Sequence, residues 1–193
     1  MADGFADVVA RVLDDSARLH VVAKAASLAA TVAATEAMIA SLRAGGTILV
    51  CGNGGSASDA QHFAAELVGR FERERRALRS LALTTDTSIL TALANDYAFA
   101  RVFARQVEAM GRPGDVLIGI STSGGSANVL EAFATAKAGG LTTVALTGRD
   151  GGVVGAAADI HINVPSPSTA RAQEVHRTLL HAICELVERE LYA

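Results

Sequence analysis

The chain has 193 residues, 50% of them apolar and 19% charged, and its net charge is −3. These figures fit one globular domain and exclude a disordered chain, and the near-neutral balance offers no field to gather nucleic acid or an anionic membrane. Cys51 and Cys184 are too few for a disulfide framework and lack CxxC metal spacing. The start, Met1-Ala-Asp-Gly-Phe-Ala-Asp7, is acidic, which predicts no secretory signal. The longest uncharged apolar stretch near it, residues 25–35, falls short of the roughly 20 residues that span a bilayer. The expectation is a soluble, cytoplasmic protein without nucleic-acid or membrane partners.

Residues 1–44 hold no Pro and a single Gly, with apolar groups at helical spacing. Val8, Val9, Val12 and Leu19 form one stripe; Val22, Leu28, Val32, Met38, Ile39 and Leu42 form another. This predicts two helices, the second stopped by Gly45-Gly46. Five short aliphatic and β-branched runs follow: Thr47–Cys51, Ser80–Thr84, Asp115–Ile120, Thr142–Leu146 and Asp159–Asn163. Helical stretches are expected between and after them, at residues 56–70, 88–94, 99–110, 126–138 and 170–191. The mixed-charge run Glu72–Arg79 reads as a solvated surface segment. Strand–helix alternation predicts an α/β fold, a three-layer αβα sandwich on a five-stranded parallel sheet, flavodoxin-like. The whole of 1–193 is one domain: an N-terminal helical pair over 1–44, packing in an oligomer, and a core with its closing helix over 45–193.

Ligands of such sheets sit at the carboxyl ends of the strands. Two Gly/Ser turns stand there, Cys51-Gly-Asn-Gly-Gly-Ser56 after the first strand and Ser121-Thr-Ser-Gly-Gly-Ser126 after the third. Each leads into a helix, whose free N–H groups and dipole attract an anion. One such turn is ordinary capping chemistry; two at one sheet edge point to a ligand. A dinucleotide reading lacks the acid expected some 20 residues after the glycines, and a Walker loop and a G-x-S-x-G elbow are absent. A small phosphomonoester, held without Lys, remains.

Gln61, His62 and Glu66 share the helix after the first turn, and His62 and Glu66 are one helical turn apart on one face. The last helix carries Gln173, Glu174, His176 and His181. Gln173 and His181 lie about 80° from alignment, close enough to flank one cavity. Imidazoles with a carboxylate can hold Zn²⁺ or serve as an acid/base pair. Asn95-Asp96-Tyr97 ends the helix after the second strand.

Taken together, residues 51–66, Asn95-Asp96-Tyr97, Ser121–Ser126 and Gln173-Glu-Val-His-(x)4-His181 resemble the sugar isomerase (SIS) domain. More narrowly, they resemble the sedoheptulose 7-phosphate isomerase (phosphoheptose isomerase) family, over nearly the whole chain. The resemblance implies interconversion of D-sedoheptulose 7-phosphate and D-glycero-D-manno-heptose 7-phosphate through an enediol. That reaction opens the route to bacterial nucleotide-activated heptoses, found in lipopolysaccharide. It also implies a homotetramer with active sites at subunit interfaces. By motif position, Asn53, Gly54, Gly55, Asn95 and Asp96 would touch substrate, and Ser121, Thr122, Ser123 and Ser126 would hold its phosphate. Glu66 and His181 would be the catalytic pair, with Gln173 at the substrate. His62, Glu66, Gln173 and His181 are the implied ligands of one zinc per subunit, present in some members.

Two places depart from the pattern: Gly125 stands where Asn is common, and Arg75–Arg79 lacks the usual prolines. Glu66 is the expected base for the carbon proton, with His181 moving protons on the oxygens. Metal ligation would lower the basicity of Glu66, so its two roles compete. The rival is a non-catalytic SIS scaffold of the replication-initiator-associating type, which typically lacks the Glu66/His181 pair. A sugar-phosphate-sensing regulator would carry a basic helix-turn-helix before residue 45, and none is read there.

Overall fold

The five aliphatic runs pair as one parallel sheet in the computed structural model, which describes residues 4–192. Residues 1–3 and 193, the ends of the expected 1–193 domain, lie outside the described residues. In chain order the elements are helix α1 (Phe5–Arg43), strand β1 (Ile48–Gly52), α2 (Gly55–Val68), β2 (Ser80–Ala82) and α3 (Thr87–Asp96). A 3₁₀ turn (Phe99–Arg101) and α4 (Ala104–Met110) precede β3 (Val116–Ser121), α5 (Ala127–Ala138) and β4 (Thr142–Gly148). The chain closes with α6 (Gly152–Ala157), β5 (Ile160–Val164) and α7 (Thr169–Leu191). The strand order is β2-β1-β3-β4-β5, every neighbour parallel. The expected three-layer α/β sandwich is therefore present.

Successive strand residues point to opposite faces, and both faces are apolar because both are covered. Ile48, Val50, Val116, Ile118, Ile120, Val144 and Leu146 pack under α1, α2 and α7, against Met38, Phe63, Leu67 and Ile183. Leu49, Cys51, Leu117 and Ala145 pack on the other face against Phe103, Val107, Val129, Phe133 and Val154. Both cysteines are buried and unpaired, and burial pushes each thiol up to about 12, so neither is a nucleophile at neutral pH.

Residues 5–43 form one helix, which corrects the expected pair. The two apolar stripes suggested a break, but between Leu19 and Val22 there is no Gly, Pro or cap to end a helix, and nothing does. The stripes found the buried face only at its C-terminal end, where Met38, Ile39 and Leu42 are in the core. Val8, Val9, Val12, Val22, Leu28 and Val32 are exposed, whereas Ala23, Ser27, Thr31, Ala34 and Thr35 are buried. Small residues let α1 approach α7 and β5 closely, and the hydroxyls find partners there. Ser27 Oγ donates to the Asn163 carbonyl at 2.7 Å, and Thr31 and Thr35 each donate to the carbonyl four residues back at 2.8 Å. By length and composition α1 alone, among the described helices, could cross a bilayer; its C-terminal half is committed to this packing instead.

The run Glu72–Arg79 is not wholly solvated, a second correction. Glu72, Arg73, Glu74 and Arg76 are exposed, but the Arg75 side chain is 1% exposed and ion-pairs with Glu188 of α7, 2% exposed. The unbroken charges of residues 72–76 hide such a position; only α7 makes it a buried one. Glu188 accepts hydrogen bonds from the Phe71, Glu72 and Arg73 N–H groups at 2.8–3.0 Å. The element missed outright is α6, whose six residues are too few to display a helical period.

Burial pushes the Glu188 carboxyl up, but the three N–H donors and the Arg75 charge outweigh it, and the net shift is downward from 4.5. A carboxylate with a depressed folded-state pKa stabilises the fold above its ordinary pKa and loses that contribution as pH falls. Urea titrations of the wild type should therefore show stability declining as pH drops below 4.5. In Glu188→Gln this part of the acid decline should vanish, and neutral-pH stability should fall by about 3–5 kcal/mol, the usual cost of breaking a buried pair.

Candidate active site

The order β2-β1-β3 means that the chain moves to one side of β1 and then to the other. That reversal opens a crevice between the carboxyl ends of β1 and β3, where ligands of open parallel sheets bind. Both Gly/Ser turns stand at this crevice. They are tied together by a reciprocal amide pair: Asn53 Nδ2 donates to Asn128 Oδ1 at 2.9 Å, and Asn128 Nδ2 donates to Asn53 Oδ1 at 2.8 Å. The side chain of Asn53 is thus spent on the scaffold, leaving its backbone to face a ligand. Asn128 escaped the sequence reading, although an Asn beside each turn was its signal.

Gly54 precedes α2 with φ 56° and ψ −120°, a conformation that side chains disfavour. In the β3 turn, a Cβ on Gly124 would overlap the Gly151 carbonyl, so this turn is pressed against the start of α6. Ser126 is the N-cap residue of α5, yet its hydroxyl makes no capping bond. Instead its Oγ pairs with Ser121 Oγ at 2.8 Å, and Ser121 Oγ lies 3.4 Å from Ser123 Oγ. Three hydroxyls thus cluster beside a helix start whose N–H groups no side chain caps. With Thr122 in the same turn, this is the geometry that receives an oxyanion.

The imidazoles and the carboxylate meet on the seam between α2 and α7. His62 Nε2 stands 2.8 Å from His181 Nε2 and 3.3 Å from Glu66 Oε1. One ligand atom from each of the three lies within 4.8 Å of the others. The 2.8 Å contact requires one imidazole to offer N–H and the other a lone pair. Burial first, then the neighbouring His62, lower the His181 pKa, with Glu66 pulling the other way. His181 is therefore held neutral, the form that accepts a proton or binds a metal. The His62 and Glu66 side chains remain 34% and 21% exposed, so the cluster is open to a ligand.

Gln173 rests against Gly55, where a Cβ would collide with its amide. It lies two turns before His181 on α7, beside a cavity of about 390 Å³ that Gly55, Asp59, Glu174 and Arg177 also line. His176 is fully buried, donates to the Thr147 carbonyl at 3.0 Å and belongs to the core. Asn95 and Asp96 are exposed at the end of α3, where the Asn95 amide donates to the Asp96 carboxylate at 2.8 Å. The structure brings His62, Glu66 and His181 into contact, and Ser121, Ser123 and Ser126 into contact. Among the described residues, neither group has a hydrogen bond or ion pair to Asn95 or Asp96. Phe71, whose ring packs 5.4 Å from His181, is a neighbour that sequence spacing did not reveal.

A model of the SIS domain matches residues 12–148, which defines the class: an SIS-domain protein. A phosphoheptose isomerase from a Roseiflexus species is 59% identical over 161 residues, 83% of this chain and 82% of that one. The phosphoheptose isomerase of Aromatoleum aromaticum is 55% identical over 93% of this chain and 92% of its own. Among solved structures, phosphoheptose isomerase from Neisseria gonorrhoeae superposes with TM-score 0.92 at 49% identity, covering 96% of this chain and all of that one. The chain belongs to the phosphoheptose isomerase family of SIS-domain proteins, and it is a sugar-phosphate isomerase.

A substrate phosphate at the serine turn should depend on its hydroxyls. Ser126→Ala should raise KM more than it lowers kcat, by about 10- to 150-fold for one lost hydrogen bond to a charged group. Initial-rate kinetics on both proteins check this; an unchanged KM would place the phosphate elsewhere.

Proposed function

We propose that the chain interconverts D-sedoheptulose 7-phosphate and D-glycero-D-manno-heptose 7-phosphate, the first step toward nucleotide-activated heptoses. The observation that carries this reading is the junction of Glu66, His62 and His181 on one seam, in a chain whose relatives bear the name phosphoheptose isomerase. Ser121, Thr122, Ser123 and Ser126, with the first N–H groups of α5, hold the phosphate. Asn53, Gly54, Gly55, Asn95, Asp96 and Gln173 line the rest of the sugar.

Moving the carbonyl from C2 to C1 takes a proton from C1 and returns it to C2, while a proton passes from O1 to O2. The intermediate is the enediol. Glu66 takes and returns the carbon proton, since one carboxylate can serve both carbons from one side. His181, neutral and hydrogen-bonded to His62, moves the proton between the oxygens. The phosphate turn supplies binding energy far from the reacting carbons, which orients them.

The same three side chains suit a zinc ion. Two nitrogens on one tetrahedral Zn²⁺, each at about 2.0–2.1 Å, stand roughly 3.3 Å apart, and the 2.8 Å pair here reaches that by a small rotation. His62, Glu66 and His181, with Gln173 as fourth ligand, would hold one ion per subunit. Such an ion polarises substrate oxygens as a Lewis acid.

The assembly we propose is a homotetramer with active sites between subunits, each subunit a single SIS unit over 1–193, in the cytoplasm. Support comes from the exposed large apolar side chains of α1, including Val9, Leu13, Val21, Val22 and Leu28, since apolar surface concentrated on one element marks an interaction site. Light scattering at micromolar concentration should give four times the subunit mass; a stable monomer would overturn shared sites.

Glu66→Gln keeps the shape of the side chain and removes its basicity. Turnover of D-sedoheptulose 7-phosphate should fall by about 10²–10⁴-fold, the usual worth of a general base. In D₂O the wild type should wash deuterium into the sugar and the variant should not. Wild-type exchange in Glu66→Gln would remove Glu66 as the base, and no exchange in the wild type, with or without Zn²⁺, would favour a scaffold.

A further inference from the structure

The buried pair Arg75–Glu188 touches both arms of the proposed catalytic cluster. Arg75 Nη2 donates to the carbonyl of Glu66 itself at 2.7 Å, and Nη1 donates to the Leu67 and Gly69 carbonyls at 2.8 and 3.2 Å. These carbonyls belong to the C-terminal end of α2, where helical partners run out. The guanidinium takes their place. On its other edge, Arg75 Nε donates to Glu188 Oε1 at 3.0 Å.

Glu188 lies on α7, seven residues after His181, and works in the other direction. Its Oε1 accepts the Phe71 N–H at 2.8 Å, and the Phe71 ring packs on the His181 imidazole at 5.4 Å and 36°. Oε2 accepts the N–H groups of Glu72 and Arg73 at 3.0 and 2.9 Å. One ion pair therefore holds the backbone of Glu66 and, through Phe71, one face of the His181 ring.

We infer that Arg75 and Glu188 are positioning residues for the isomerisation: through the Glu66 carbonyl and Phe71 they set how the base and the imidazole face each other. A buried ion pair is seldom a net stabiliser when compared with well-packed apolar side chains. What it supplies is direction, because the planar guanidinium fixes its acceptors at set angles. Lys has neither the fork nor the reach to hold both the α2 carbonyls and Glu188. The inference rests on the assignment of Glu66 and His181 as the proton-transfer pair.

The test uses the full-length protein in its native assembly, with D-sedoheptulose 7-phosphate as substrate. Arg75→Met should lower kcat about 10- to 100-fold and leave KM within about threefold, since a misplacement near one ångström has that cost in rate. Arg75→Lys, which keeps the charge, should recover only part of the loss. Phe71→Leu leaves the ion pair whole but removes the ring contact, so it decides the question even if the Arg75 variants fail to fold. It should lower kcat and shift the His181 ring signals in ¹H–¹⁵N spectra, with thermal stability nearly unchanged. Wild-type kcat in folded Arg75→Met or in Phe71→Leu would overturn the inference. If the wild type itself does not turn over, the proposed function fails, and the spectra still decide the coupling: His62 and His181 signals unmoved by Arg75→Lys and Phe71→Leu would overturn it.

Discussion

The reversal of strand order at β1 is the constraint on which the crevice between the two Gly/Ser turns depends. Because β2 lies on one side of β1 and β3 on the other, the helices that follow β1 and β3 leave the sheet edge on opposite faces. Their N-termini diverge and leave a gap between two turns. A gap of this kind would drift without a fastener, and the two Asn amides supply one across it. Since each amide gives one donor and one acceptor, the pair satisfies four polar groups, two of them on the buried Asn128. The glycines then do what side chains cannot, allowing Gly54 its positive φ and Gly124 its contact with the α6 turn.

The cluster of His62, Glu66 and His181 hangs on a second construction, the parallel seam of α2 and α7. Contacts advance along it in step: Gly55 against Gln173, Asp59 with Arg177 at 2.5 Å, His62 with His181, and Phe71 with Glu188. Every one of these pairs has a polar member, so register is set by hydrogen bonds rather than by packing alone. A slip of one turn would break the Asp59–Arg177 pair, part the imidazoles and strand the Glu188 carboxylate in the core. That penalty makes the seam an accurate ruler for His62, Glu66 and His181.

Much of this was legible in the sequence, and the limits follow from how far each signal reaches. Strands read as unbroken apolar runs because both faces of the sheet are covered, and the Gly/Ser turns gave the ligand edge. His62 and Glu66 were legible as a pair because helical geometry joins residues four apart. Arg75 and Glu188 lie 113 residues apart, and no local period marks one buried arginine among exposed ones. The face of α1 was misread for a related reason: its valines and leucines look like core, yet the sheet accepts Ala, Ser and Thr, which fit where helix and strand come close. Once the i−4 carbonyl has satisfied a Thr hydroxyl, that residue packs as an apolar one.

The two readings of the triad, acid–base cluster and metal site, exclude each other at the level of lone pairs. Across the 2.8 Å contact one Nε2 donates and the other accepts; an ion held by both Nε2 atoms needs an unshared lone pair on each. Binding would therefore shift the donating ring to its other tautomer, with the proton on Nδ1, and in the reading that makes Glu66 the base, ligation would take up the basicity that carbon deprotonation requires. The lowered pKa of His181 moves both readings the same way, keeping the ring neutral as pH falls toward the ordinary histidine range. In the reading that makes Glu66 the base, an ion and the carbon proton thus compete for the same carboxylate.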